Sequence, residues 1–107
     1  MATSAEWHED YAEMNEAALD FARAVKSVQE ELEAVDWYTQ RAHATHDEQL
    51  RRILIHNRNE EIEHAIMGLE YLRRISPEFD AHMRTYLFTE GDITEIEEKQ
   101  EGQEPQP

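Results

Sequence analysis

A chain of 107 residues is about the size of one domain, and its 10 Lys+Arg against 25 Asp+Glu leave a formal net charge of −15. Cysteine is absent, which excludes a disulfide framework, thiolate metal sites and a cysteine nucleophile, so any metal chemistry must use carboxylate and imidazole. The charge disfavours nucleic acid and anionic lipid, no run approaches the roughly 18 to 20 apolar residues of a membrane span, and the N-terminus lacks the basic-then-apolar order of a signal peptide. The expectation is a soluble cytoplasmic protein with no nucleic-acid and no membrane partner, favouring cations. Ala, Glu, Leu and Arg dominate while Gly and Pro number three each, a balance that points to long helices.

From Trp7 the apolar residues recur as Trp7, Tyr11, Met14, Ala18, Phe21, Val25, Val28, Leu32 and Val35. Alternating steps of four and three predict one unbroken helix with a 3.5-residue seam, from a Thr3/Glu6 capping box to about Ala42. At roughly 1.5 Å per residue it would exceed 50 Å. Thr45 and Glu48 repeat the capping-box pattern, so a second helix is expected from near His46 to Ile75, stopped by Ser76-Pro77. So short a link makes the two helices antiparallel neighbours.

Ser76 as N-cap and Pro77 at the first helical position predict a third, shorter helix carrying Phe79, Met83, Tyr86 and Leu87, ended near Gly91. A fourth is expected over 92–100 with Ile93 and Ile96 inward. The helical domain then covers 1–100, and the polar, Pro-containing segment 101–107 reads as a disordered tail. Two long helices meet along one line and leave the rest of their apolar arcs in water, so the chain should oligomerise.

Glu61 and His64 form Glu-x-x-His, one helical turn apart. With 19 Glu and 6 His in the chain, chance predicts about one such pair, so the motif gains meaning only from its surroundings. On a helical wheel with Glu61 at zero, Leu54 and Leu72 fall near ~20°, Leu50 near ~340° and Ile75 near ~320°. Glu61 is therefore centred in the apolar arc, with His64 at its edge and Glu60 and Glu63 toward solvent. The first helix repeats the anomaly, because Glu31 interrupts the small-residue row Ala17, Ala24, Glu31, Tyr38. Counted from the turn, Glu31 and Glu61 lie at depths that agree to about one helical turn.

Buried carboxylates without partners are expensive, so these residues call for a shared cation. The plainer account is an ion pair between Glu31 and an Arg such as Arg58, with His64 a satisfied core histidine. Carboxylate and histidine without thiolate suit iron or manganese better than structural zinc. Four-helix di-iron proteins use one Glu from each of two helices and Glu-x-x-His from each of the other two. One chain carries half of that set, and two copies about a two-fold axis would complete it.

The runs Glu30-Glu31-Leu32-Glu33-Ala34-Val35-Asp36-Trp37-Tyr38, His56-Asn57-Arg58 with Glu60-Glu61-x-Glu63-His64, and Arg84-Thr85-Tyr86-Leu87-Phe88-Thr89-Glu90-Gly91 resemble the encapsulated ferritins over about residues 24–98. The resemblance implies an all-α fold, an antiparallel two-helix hairpin plus short C-terminal helices forming half of a ferritin-like four-helix bundle completed by dimerisation. It implies a homodimer assembling into a ring, a decamer by family, held as cargo inside a cytoplasmic encapsulin nanocompartment. The implied activity is ferroxidase, oxidation of Fe(II) by dioxygen with two Fe per dimer site. Ligand roles fall on Glu31, Glu61 and His64, with Tyr38 close to the metals.

Family members usually end in a short apolar and basic targeting peptide, a pattern that Gln-Glu-Pro-Gln-Pro does not match. Glu30, Glu33 and Trp37 lie together on the outward side of the first helix. They read as an ordinary solvated face from spacing alone and as an iron-uptake site under the resemblance. His43 and His46 at the turn suit capping or solvation better than ligation, and His8, His56 and His82 have no matched partner in sequence. The alternatives from other classes are a non-catalytic acidic helical interaction protein, with Glu31 and Glu61 salt-bridged, and another di-iron enzyme, a peroxidase or oxygenase, on the same scaffold.

Overall fold

The computed structural model describes residues 7–103, and among them every regular element is helical. The chain divides into two compact units, Met1–Leu72 and Arg73–Pro107.

In the first unit the long helix starts later than the apolar spacing predicts. A single 3-10 turn, Tyr11–Glu13, comes first, with Asp10 accepting from the Ala12 N–H. Met14 is extended, and α1, Glu16–Ala44, opens at Asn15, whose side chain accepts from the Ala18 N–H at 2.8 Å. Two short polar side chains thus take backbone donors that a continuous helix would have used. Trp7 and Tyr11, expected on the seam, pair edge-to-face with each other at 5.0 Å. The 29 residues of α1 span about 43 Å at ~1.5 Å per residue, so the expected 50 Å is too long. The Thr3/Glu6 capping box lies outside the described residues.

Helix α2 runs Glu48–Ile75. Its N-cap is Asp47, which accepts from the Leu50 N–H at 2.8 Å, and not Thr45, which closes α1 instead. Arg51 ties the turn together: its guanidinium donates to the Ala42 carbonyl at 3.0 Å, to the Thr45 carbonyl and to Glu48. Two carbonyls at the end of α1 are thereby satisfied.

The hairpin is antiparallel, since Ala42 lies by Arg51, Glu31 by His64 and Val28 by Gly68. Leu19, Val28 and Ala42 on α1 are buried, as are Leu54, Ala65 and Leu72 on α2. Much of the apolar arc is left in water, including Leu32, Leu50, Ile53, Ile62, Ile66 and Tyr71.

In the second unit α3, Pro77–Tyr86, begins as expected, with Ser76 accepting from the Phe79 N–H at 3.2 Å and Pro77 in the first turn. Asp80 receives Arg73 at 2.6 Å and Arg84 at 3.0 Å. Helix α3 closes at Leu87, before Gly91, and the chain turns through positive φ at Phe88 and Gly91. Asp92 then caps α4, Ile93–Gln103, by accepting from the Thr94 and Glu95 N–H groups. Helix α4 therefore continues past Gln100. Ile96 is half-buried as expected, whereas Ile93, adjacent to the cap, is 68% exposed.

Candidate metal centre

Counted from the observed helix ends, Glu31 on α1 and Glu61 on α2 lie equally far from the turn, and the antiparallel pairing brings them together. His64, one turn beyond Glu61, completes the group. Its Nδ1 is 3.7 Å from Glu31 Oε2 and 3.7 Å from Glu61 Oε2. Glu31 and Glu61 keep 29% and 26% of their side-chain surface and His64 keeps 44%. Their outward neighbours Glu30, Glu33, Glu60 and Glu63 are all exposed, as the wheel predicts.

Among the described residues, the ligand atoms of Glu31, Glu61 and His64 lie within 4.8 Å of one another, close enough to hold a metal ion. Arg58, the cation of the plainer account, instead donates from Nε and Nη2 to Asn59 Oδ1 at 3.3 and 3.0 Å. Two half-buried carboxylates and one exposed imidazole form a hard, anionic donor set that suits iron or manganese. Three donors from one chain leave much of an iron coordination sphere to be supplied from elsewhere. The open apolar face beside the group is where a second set could come from.

Tyr38 is half-buried on α1, two turns from Glu31, with the Arg41 guanidinium over its ring at 5.4 Å. Glu30, Glu33 and Trp37 remain on the outside of α1, Trp37 half exposed at 50%. Their ligand atoms are not among the converging groups of the described residues. His8, His43, His46 and His82 are exposed and likewise stand apart from those groups.

Spacing missed one set of contacts. Glu60 approaches His64 from the outer side, Oε2 to Nε2 at 3.9 Å, and its other oxygen lies 3.4 Å from His56 Nε2. Glu60, Glu63 and His64 form a second converging group, all three exposed. The signal was present as His56, Glu60 and His64, each four residues from the next.

The sequence and the fold have close relatives. A ferritin-like protein of Thermotoga maritima is 54% identical over 97 residues, covering 91% of this chain and 85% of that one. An encapsulated ferritin-like protein of Rhodospirillum rubrum is 56% identical over 90 residues, covering 84% of this chain and 64% of that one. The crystal structure of protein NE0167 from Nitrosomonas europaea superposes with a TM-score of 0.79 at 48% identity, covering 81% of this chain and 96% of that one. The EncFtn-like family pattern matches residues 6–90, and the chain belongs to this encapsulated-ferritin family.

Proposed function

We propose that the chain is a ferroxidase, oxidising Fe(II) to Fe(III) with dioxygen at a dinuclear site formed across a homodimer. Each chain contributes Glu31, Glu61 and His64, and each completed site takes two iron ions. The observation that carries this reading is the convergence of His64 Nδ1 with one carboxylate from each helix at 3.7 Å, at the edge of an uncovered apolar face.

Dimerisation through that face would bury Leu32, Ile62, Ile66 and Tyr71, all more than a third exposed here, and contiguous apolar surface of this kind marks an interaction site. On this reading Glu61, central in the arc, would bridge the two cations, with Glu31 and His64 as terminal ligands. Fe(II) is the substrate, and its oxidation needs no nucleophile or general base from the chain. The protein's part is to select a divalent cation with anionic oxygen donors, hold two of them close together and exclude bulk water with apolar walls.

By family, Tyr38 joins the catalytic residues as a side chain close to the metals. Glu30, Glu33 and Trp37 form the uptake patch that draws Fe(II) to the surface. By family, dimers assemble into a ring, a decamer, carried inside an encapsulin nanocompartment in the cytoplasm, where the activity serves iron storage and detoxification. The name of the Rhodospirillum rubrum relative supports the encapsulation.

The test is anaerobic Fe(II) titration of the protein followed by admission of air. Two irons per dimer and oxidation well above that of Fe(II) in buffer are expected. Oxidation at the buffer rate would overturn the reading.

A further inference from the structure

His64 stands between a pair of carboxylates on one side and a single carboxylate on the other. Its Nδ1 faces Glu31 and Glu61, and its Nε2 faces Glu60 at 3.9 Å. Glu60 is flanked on its far side by His56, Nε2 to Oε1 at 3.4 Å. The three residues are spaced by four along α2 and therefore run down one edge of the helix. An imidazole that offers the Nδ1 lone pair to a cation must carry its proton on Nε2, and that N–H needs an acceptor. Histidine ligands ordinarily donate this second N–H to a carboxylate, carbonyl or water, which fixes the tautomer and the ring plane.

We infer that Glu60 is a positioning residue for His64: its carboxylate accepts the Nε2–H and holds the ring with Nδ1 toward Glu31 and Glu61, while His56 steadies Glu60 from the other side. This rests on the reading of Glu31, Glu61 and His64 as Fe(II) ligands. The separation of 3.9 Å is longer than a hydrogen bond, and closing it takes a side-chain rotation at a solvent-facing edge, without movement of the helix. Glu63 carries the same charge and also brings an oxygen within 4.8 Å of a His64 ring nitrogen, but it adjoins His64 in sequence and leaves the helix about 100° away from it. It is the control for charge alone.

The experiment uses the full chain and Co(II), a divalent probe that does not turn over in air. Affinity is read by calorimetric titration and the ring by the hyperfine-shifted, exchangeable imidazole proton in the NMR spectrum of the Co(II)-loaded protein. Wild type should show a slowly exchanging Nε2–H from His64. Glu60→Ala should lower Co(II) affinity about ten- to a hundredfold and speed exchange of that proton into invisibility.

Glu60→Gln, whose amide oxygen still accepts, should restore the proton signal and most of the affinity. Glu63→Gln should leave the signal in place. Equal affinity losses in Glu60→Gln and Glu63→Gln, with the proton signal unchanged in Glu60→Ala, would overturn the positioning role and leave the ligand set intact. If wild type shows no His64 signal and His64→Ala binds Co(II) as wild type does, the ligand reading itself fails and this inference falls with it.

Discussion

Gly68 on α2 and Val28 on α1 meet so closely that a Cβ built at position 68 would lie 2.5 Å from Val28 Cγ2. Val28 is buried and β-branched, so its χ1 is stiff and the methyl cannot swing aside. The contact sits one turn from Glu31 on α1 and one turn from His64 on α2, and it fixes the spacing of the helices at the candidate metal centre. Gly68→Ala gains about 1 kcal/mol of helix propensity but forces the helices apart, at a cost of about 1–3 kcal/mol. The net outcome expected is destabilisation together with weaker metal binding. Denaturant unfolding of Gly68→Ala, Val28→Ala and the double variant should show favourable coupling, because removing Cγ2 makes room for the new methyl.

At the centre itself, Glu61→Ala should abolish dinuclear binding and most Fe(II) oxidation, whereas Glu63→Ala on the exposed side should change both little. His64→Ala should weaken iron binding about ten- to a hundredfold while leaving the helical circular dichroism intact, since it removes a terminal ligand and no core contact. Equal losses in Glu61→Ala and Glu63→Ala would contradict the inward placement.

Local chemistry was what made most of the fold readable. Ser76-Pro77 and the short turn after α1 each specify a backbone geometry within a few residues. The start of α1 was not readable from apolar spacing, because Trp7, Tyr11 and Met14 continue the seam while Asp10 and Asn15 redirect the backbone. Periodicity reports which side chains share a face and is silent on a competing cap. The convergence of Glu31 and Glu61 was legible for a related reason: both interrupt apolar arcs, and an acid among apolar residues stands out. Glu60 was not, since an exposed Glu on an acidic helix looks like solvated surface until His64 and His56 are placed beside it.

The outward patch of Glu30, Glu33 and Trp37 makes a kinetic prediction. Replacing both acids by Ala should slow Fe(II) uptake and oxidation without lowering the number of irons bound at the dinuclear site. The difference should be largest at low ionic strength, where the Debye length is about 30 Å at 0.01 M. Stopped-flow oxidation traces at two salt concentrations measure it, and identical rates would make the patch plain solvated surface.

Asp80 gives the second unit a pH dependence. Arg84 first and Arg73 second hold its carboxyl below the usual carboxylate range. A group with a lowered folded-state pKa binds fewer protons folded than unfolded, so its stabilisation is fully present above the ordinary carboxylate pKa and is lost as pH falls through the lowered value. Asp80→Asn should therefore be less stable than wild type at neutral pH, and the two should converge in acid. Thermal melts at pH 7 and at pH 3 check the sign.

If each iron site takes half of its ligands from each of two chains, metal and assembly must be linked. A single chain offers two carboxylates and one imidazole and should bind Fe(II) weakly, whereas a dimer offers twice that number around one cavity. Fe(II) must then strengthen the dimer by the same free energy by which dimerisation tightens Fe(II), because the two routes to the loaded dimer begin and end at the same states. Without the cation, four carboxylates brought to one interface repel one another, which opposes the burial of Leu32, Ile62 and Ile66. Metal-free protein should therefore favour smaller species, and anaerobic Fe(II) should shift it toward dimers and larger rings. Sedimentation of both forms over a dilution series measures this directly. Glu61→Ala should remove most of the metal dependence and make the metal-free dimer tighter, since it deletes one charge from each chain at the interface. Association constants that do not change with Fe(II) would mean that no site is shared between chains.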